Sequence, residues 1–248
     1  MWQRIHFTKN NIKWSLIIVG GIVIAFCIMV IVYSAYNNYI ITQSLTKNDG
    51  DYVVLVHGLA RTSLSMQIMG VHLAKQGYKV INITYPSTND TIEQLTIQYL
   101  KPEIEKAYQD KTKKINMVTH SMGAILVRYL LSIEPIEQLD KVVMIAPPNR
   151  GSVLADELIQ GREKYVEGFA LPQLSTSEHS FVNTLPQPDY TVGVIAGKYD
   201  KKVSVDRTTL DTMTAFIIVP RHHTWIVNAK EVIDATIQFL DHGTFSSQ

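Results

Sequence analysis

The hydrophobic pattern divides the chain in two. Residues 15–33 read SLIIVGGIVIAFCIMVIVY, an apolar run without a charge. At 1.5 Å rise per residue, about 20 apolar residues cross the hydrocarbon core of a bilayer as a helix. From residue 51 onward, short β-branched runs alternate with longer helical stretches. Strands are predicted at 52–56, 79–84, 115–119, 142–145, 191–195 and 215–219, and helices at 63–76, 91–109, 122–133 and 230–241. The strands are nearly continuous in apolar residues rather than alternating. That is the pattern of a parallel sheet buried on both faces by crossover helices. Residues 151–188 break the rhythm with Leu171-Pro172, Leu185-Pro186 and many polar positions, and predict an irregular cap-like insertion between strands. Residues 34–50 (SAYNNYIITQSLTKNDG) are polar and predict a tether, with Tyr33, Tyr36 and Tyr39 near the membrane interface.

Charge orients the first part. Arg4, Lys9 and Lys13 precede the apolar run, and the next basic residue is Lys47. Basic residues collect on the cytoplasmic flank of a span. This places residues 1–14 in the cytoplasm, 15–33 across the membrane, and the 51–248 domain on the periplasmic or extracellular side. A cleaved signal peptide would carry roughly 7–15 apolar residues before small residues of A-x-A type. The run here is longer, and Tyr33-Ser34-Ala35 fits that site poorly. Cys27, the single cysteine, lies in mid-run behind Phe26 and reads as an apolar helix residue rather than a lipidation site. Charged residues make up 18% of the chain at a net charge of +1, with no basic block in the body. Nucleic acid is therefore not an expected partner.

The candidate chemistry falls at strand ends, where open parallel sheets bind their ligands. Strand 115–119 runs into Thr119-His120-Ser121-Met122-Gly123 and then a helical stretch. This is a nucleophile elbow with Thr in place of the first Gly: a sharp strand-to-helix turn that lifts a serine hydroxyl above the sheet. Its helix N-terminus also favours developing negative charge. A plain N-cap is the alternative role for Ser121, and the strand before and helix after it favour the nucleophile. The first strand ends in His57-Gly58-Leu59-Ala60. An oxyanion requires two preorganised N–H donors, and Met122 and Leu59 are the expected pair.

The base is sought among eight histidines. The chain order nucleophile, acid, histidine points to the loop after the last strand. His223 is the expected base, with His222 as the alternative, because neighbours in an extended loop point different ways. His57 and His120 are motif neighbours with structural roles. The acid is expected after the penultimate strand at Asp200, with Asp206 as the alternative. No H-E-x-x-H is present, and no metal or organic cofactor is expected.

The segments VVLVHGLARTSLSM, Tyr85-Pro86-Ser87, THSMGAILVRYLL, APPNRGS, DKKVSV and RHHTW together resemble bacterial lipase-like α/β hydrolases, which include esterases and triacylglycerol lipases. The resemblance covers most of residues 51–240. It implies the α/β-hydrolase fold, in a compact form of about six strands with helices on both faces, and supports Ser121, Asp200 and His223 as a triad. Two positions depart from the pattern. Lys201 follows the acid where glycine is common, and His222 precedes the base where serine is common. The implied activity is cleavage of carboxylic esters through an acyl-enzyme, with acyl lipids favoured by a membrane location. The same residues would serve an acyltransferase in which an alcohol replaces water, and the fold also hosts binding proteins without activity.

Overall fold

The computed structural model describes residues 9–245, with side chains from residue 16. Residues 1–8, which include Arg4 and His6 of the segment expected in the cytoplasm, lie outside the described residues. Helix α1 (Lys9–Lys47) leads into strand β1 (Tyr52–Val56). A 3-10 turn (Ser63–Met66) and helix α2 (Gln67–Lys75) carry the chain to β2 (Lys79–Ile83). Helix α3 (Ile92–Leu95), a π turn (Thr96–Leu100) and α4 (Lys101–Ala107) then lead to β3 (Ile115–His120). Next come α5 (Met122–Ile133) and β4 (Leu139–Ile145). Four short helices, α6 (Val153–Ile159), α7 (Glu163–Val166), α8 (Ala170–Gln173) and α9 (Phe181–Thr184), make up the insertion. Strand β5 (Thr191–Gly197), a 3-10 turn (Val205–Thr208), β6 (Ala215–Val219) and α10 (Lys230–His242) complete the chain.

The six strands form one sheet in the order β2-β1-β3-β4-β5-β6, and every neighbouring pair is parallel. The chain winds outward from β1 to β2, then crosses back to β3 and winds the other way. The reversal lies between β1 and β3, and a crevice opens at such a point beyond the strand carboxyl ends. The alternation of strand side chains makes two cores. Tyr52, Val54 and Val56 face a layer with Ile92, Leu95, Met122 and Ile125. Val53 and Leu55 face Met69, Leu73, Val232 and Phe239. Burial on both faces explains why β1 and β3 read as unbroken apolar runs.

Two departures from the sequence expectations have local causes. The stretch expected as one helix at 91–109 contains the π turn just before Pro102. Proline lacks an N–H and its ring crowds the carbonyl four residues back, so one wider turn relieves the ladder. The larger correction concerns residues 34–50, expected as a tether. They are helical as far as Lys47 and lie against the domain. Asn37, Ile41 and Ser44 are buried, and together with Ser34 and Asn48 they repeat at intervals of three and four, one face of a helix. Gln67 Nε2 donates to the Ser34 carbonyl at 2.8 Å, and the Val80 N–H on edge strand β2 donates to Ser44 Oγ at 3.0 Å. Asn48 Nδ2 donates to the carbonyls of Ala74 and Tyr78 at 2.7 and 2.8 Å. The docking face is mostly polar, so a hydrophobicity pattern passes over it. Upstream of it, the side chains of Leu16 to Val32 are exposed, on a helix long and apolar enough to cross a membrane.

Candidate active site

The elbow after β3 has the backbone that its sequence demands. Ser121 adopts φ 53°, ψ −127°, a strained conformation for a residue with a side chain. The Ser121 N–H donates to the Ile145 carbonyl at 2.9 Å, and the Ala124 N–H donates to the Ser121 carbonyl at 3.0 Å, so neighbours on both sides hold the turn. Two glycines make room. A Cβ on Gly123 would collide with the carbonyl oxygens of Val56 and His57, and one on Gly58 would lie 2.9 Å from the Ser121 Cβ. Thr119, the departure from the elbow pattern, is fully buried and donates its hydroxyl to the Val143 carbonyl at 3.3 Å. Glycine is therefore not required there.

The structure brings Ser121, His223 and Asp200 together from three strand ends. Ser121 Oγ lies 3.0 Å from His223 Nε2, and His223 Nδ1 lies 2.6 Å from Asp200 Oδ2. The other Asp200 oxygen accepts from the backbone N–H groups of Lys202 at 2.8 Å and Val203 at 3.0 Å. Those bonds fix the carboxylate plane in a side chain closed off from solvent. The alternatives fall elsewhere. His222 is exposed and its Nδ1 faces the Tyr199 carbonyl at 2.8 Å. Asp206 stands in the Val205–Thr208 turn, 3.8 Å from Arg207 Nε. Met122 is the first residue of α5, a position whose N–H has no acceptor within the helix. Leu59 lies in the turn after β1, next to Ala60, which takes a left-handed φ of 53°.

Two neighbouring histidines hold the frame. His120 is buried; its Nε2 donates to the His223 carbonyl at 3.1 Å, while Nδ1 has no partner. Burial holds its pKa well below the ordinary 6.5. His57 stacks on Tyr85 at 4.1 Å between ring centres. Its Nδ1 donates to the Gly58 carbonyl at 2.9 Å, and Tyr85 donates its hydroxyl to the His57 carbonyl at 2.5 Å. Burial lowers the His57 pKa as well. These contacts tie the end of β1 to the loop after β2, and the end of β3 to the loop after β6.

Two further residues were not singled out from the sequence. Arg128 of α5 is buried and donates to the Asn149 backbone carbonyl and Oδ1 and to the carbonyls of Leu185 and Pro186. Desolvation pushes its pKa down to about 10. It ties both ends of the insertion to α5, the helix that follows Ser121. Its signal was a lone cation within the apolar run GAILVRYLL. Ser152 donates to the Lys202 carbonyl at 2.6 Å and so links the insertion to the loop that carries Asp200.

Two hollows meet at this point. One, of about 210 Å³, touches Ser121 and His223 and is walled by Leu154, Ala155, Leu158, Leu171 and Leu174 of the insertion. The other, an open groove of about 960 Å³, has a mixed lining, with Arg61, Thr84 and Ser87 beside Leu64, Tyr85 and Trp225. His120 and Arg61 border both. Ser121 thus opens on an apolar hollow next to a groove of mixed lining, a shape suited to a ligand with one greasy and one more polar part.

Comparisons with known proteins bear on the fold and the family. The family model for lecithin:cholesterol acyltransferase matches residues 73–234. A triacylglycerol lipase of Pseudomonas fragi is 31% identical over 142 residues, which cover 54% of this chain and 47% of that protein. The matched region thus spans about half the length of that relative. Among solved structures, Aspergillus fumigatus lipase B superposes with a TM-score of 0.63 at 14% identity, over 80% of this chain and 54% of that one. The phospholipase PlaB of Legionella pneumophila does so with a TM-score of 0.56 at 18% identity, over 78% of this chain and 57% of that one. These likenesses identify the six-stranded sheet as an α/β-hydrolase fold. On its sequence, the chain belongs to the lecithin:cholesterol acyltransferase family.

Proposed function

We propose that the chain is a membrane-anchored serine hydrolase that cleaves carboxylic esters of lipids. The observation that carries this reading is the run of contacts from Asp200 through His223 to Ser121 at the mouth of an apolar hollow. His223 removes the hydroxyl proton of Ser121 as its oxygen attacks the acyl carbonyl. The backbone N–H groups of Met122 and Leu59 receive the oxyanion, and the imidazolium, stabilised by Asp200, protonates the leaving alcohol. Water, activated by His223, then releases the acyl group from Ser121. The acyl chain lies among the leucines of α6 and α8, and the polar part of the substrate lies toward Arg61 and Trp225. Residues 15–33 cross the membrane with the domain outside the cytoplasm.

A second reading, acyl transfer to an alcohol, is favoured by the acyltransferase family match and by the open groove, which offers an acceptor a place beside His120. The test uses the full chain in detergent. It should hydrolyse p-nitrophenyl esters and take up a fluorophosphonate at Ser121, and Ser121→Ala should lose about 10⁴-fold or more in turnover along with all labelling. Full activity in Ser121→Ala would sink the reading. Appearance of acylated product with added glycerol or lysolipid would favour transfer over hydrolysis.

A further inference from the structure

Helix α1 fixes the direction from which a membrane approaches the site. Its docked half descends along α2, from Ser34 beside Gln67 at the start of α2 to Asn48 beside Ala74 and Tyr78 at its end. Helix α2 starts on the side of the strand carboxyl ends, because it follows the loop that leaves β1. The direction of α1 upstream of Ser34 is therefore toward the catalytic face. The exposed apolar stretch of α1 leaves the domain on the side where Ser121 opens, not on the opposite side.

The same face carries apolar side chains that a water-facing surface has little reason to hold. Leu64 after β1, Tyr165 and Phe169 in the insertion, Tyr199 after β5 and Trp225 after β6 are all exposed, Tyr165 at 83% and Trp225 at 71%. Exposed aromatic side chains gathered on one face fit the interfacial zone of a bilayer, where amphipathic rings settle. Lys202 and Arg61 border the mouth of the apolar hollow, a placement suited to lipid headgroups.

We infer that the catalytic face rests on the same leaflet from which α1 emerges, and that the docked half of α1 is a rigid strut holding the mouth at the bilayer surface. The substrate is then an acyl lipid of that leaflet, drawn in without crossing water. This rests on the serine-hydrolase and membrane-span readings, and it adds the surface the site faces and the range over which it acts. The helix is unbroken from the apolar stretch through Lys47, and its contacts with Gln67, Val80 and Ala74 leave no loose joint between anchor and domain.

The experiment uses the full chain reconstituted in phosphatidylcholine–phosphatidylglycerol vesicles. With Trp2→Phe and Trp14→Phe, Trp225 is the tryptophan left to report. Brominated lipid with its bromines near the headgroup should quench Trp225, and aqueous iodide should not. Quenching by iodide and not by lipid would overturn the inference, whatever the enzyme's activity. In a second variant, a flexible Gly-Ser linker of about ten residues between positions 33 and 34 frees the domain to wander by roughly 17 Å. Hydrolysis of the vesicle's own lipid should fall about tenfold with the lost effective concentration, while hydrolysis of p-nitrophenyl butyrate stays unchanged. Lipid hydrolysis unaffected by the linker would overturn the strut. Loss of fluorophosphonate labelling in the unmodified chain would instead refute the reading of Ser121 and leave the quenching result to decide the docking.

Discussion

At the residue scale, the site is built from side chains whose neighbours leave them one arrangement. His223 has its Nδ1 against Asp200 and its Nε2 against Ser121, while the His120 ring supports its backbone carbonyl from below. That support has a consequence for pH. His120 and His57 are both held below the ordinary histidine pKa by burial. Below about pH 6.5 the unfolded chain therefore binds protons at these positions that the folded chain does not. Excess protons on the unfolded side make stability rise with pH. Stability from these two groups is thus complete above about pH 6.5 and declines as the pH drops, each contributing up to about 1.4 kcal/mol per pH unit until its folded pKa is reached. Urea unfolding between about pH 7 and pH 5 should show this decline, and His120→Asn should make it shallower. A slope in His120→Asn equal to that of the parent would show that His120 is not the group responsible.

At the element scale, the insertion depends on one cation. Arg128 holds residues 149, 185 and 186 to α5 through backbone oxygens and one side-chain amide oxygen. Arg128→Ala should cost about 2–4 kcal/mol, since hydrogen bonds to a charged group are worth more than neutral ones and buried carbonyls lose their donor. Hydrogen exchange should quicken first in residues 150–186, over the apolar hollow. Arg128→Lys should rescue little, because one ammonium does not reproduce the guanidinium fork. Uniform exchange across the whole domain in Arg128→Ala would argue against this local role. The elements themselves were largely legible. Strands β1 and β6 and helix α5 have the predicted bounds, because each is a β-branched or apolar run stopped by turn residues. The geometry that joins Ser121 to His223 was legible only as chain order, since residues 102 positions apart are brought together through the sheet. Arg128 escaped notice because its partners are mostly backbone carbonyls, which carry no residue signature. The helix over 34–47 escaped because Asn37 and Ser44 dock through hydrogen bonds and close fit rather than through an apolar stripe.

At the scale of the whole molecule, that helix decides where the folded unit begins. Strand β2 is one edge of the sheet, and a bare edge is a template for pairing with other chains. Helix α1 covers it: Ser44 receives the Val80 N–H, and Lys79 reaches the Leu45 carbonyl. Gly70 lets the two helices meet closely, since a Cβ there would lie 2.9 Å from Ile41 Cδ1. Two truncations should therefore behave differently. A chain starting at Ser34 keeps the whole docking face and should be soluble, monomeric and cooperative in its melting. A chain starting at Asp49 loses the burial of Ile41, about 1.5–3 kcal/mol, and the Ser44 hydrogen bond, about 1 kcal/mol. For a domain of this size the deficit lowers Tm by roughly 10 °C. The uncovered β2 edge should also drive association, visible in light scattering before the melt. Equal melting temperatures for the two fragments would mean that residues 34–48 are the loose tether their composition suggests, and the contacts at Ser34, Ser44 and Asn48 would then contribute nothing to the stability of the domain.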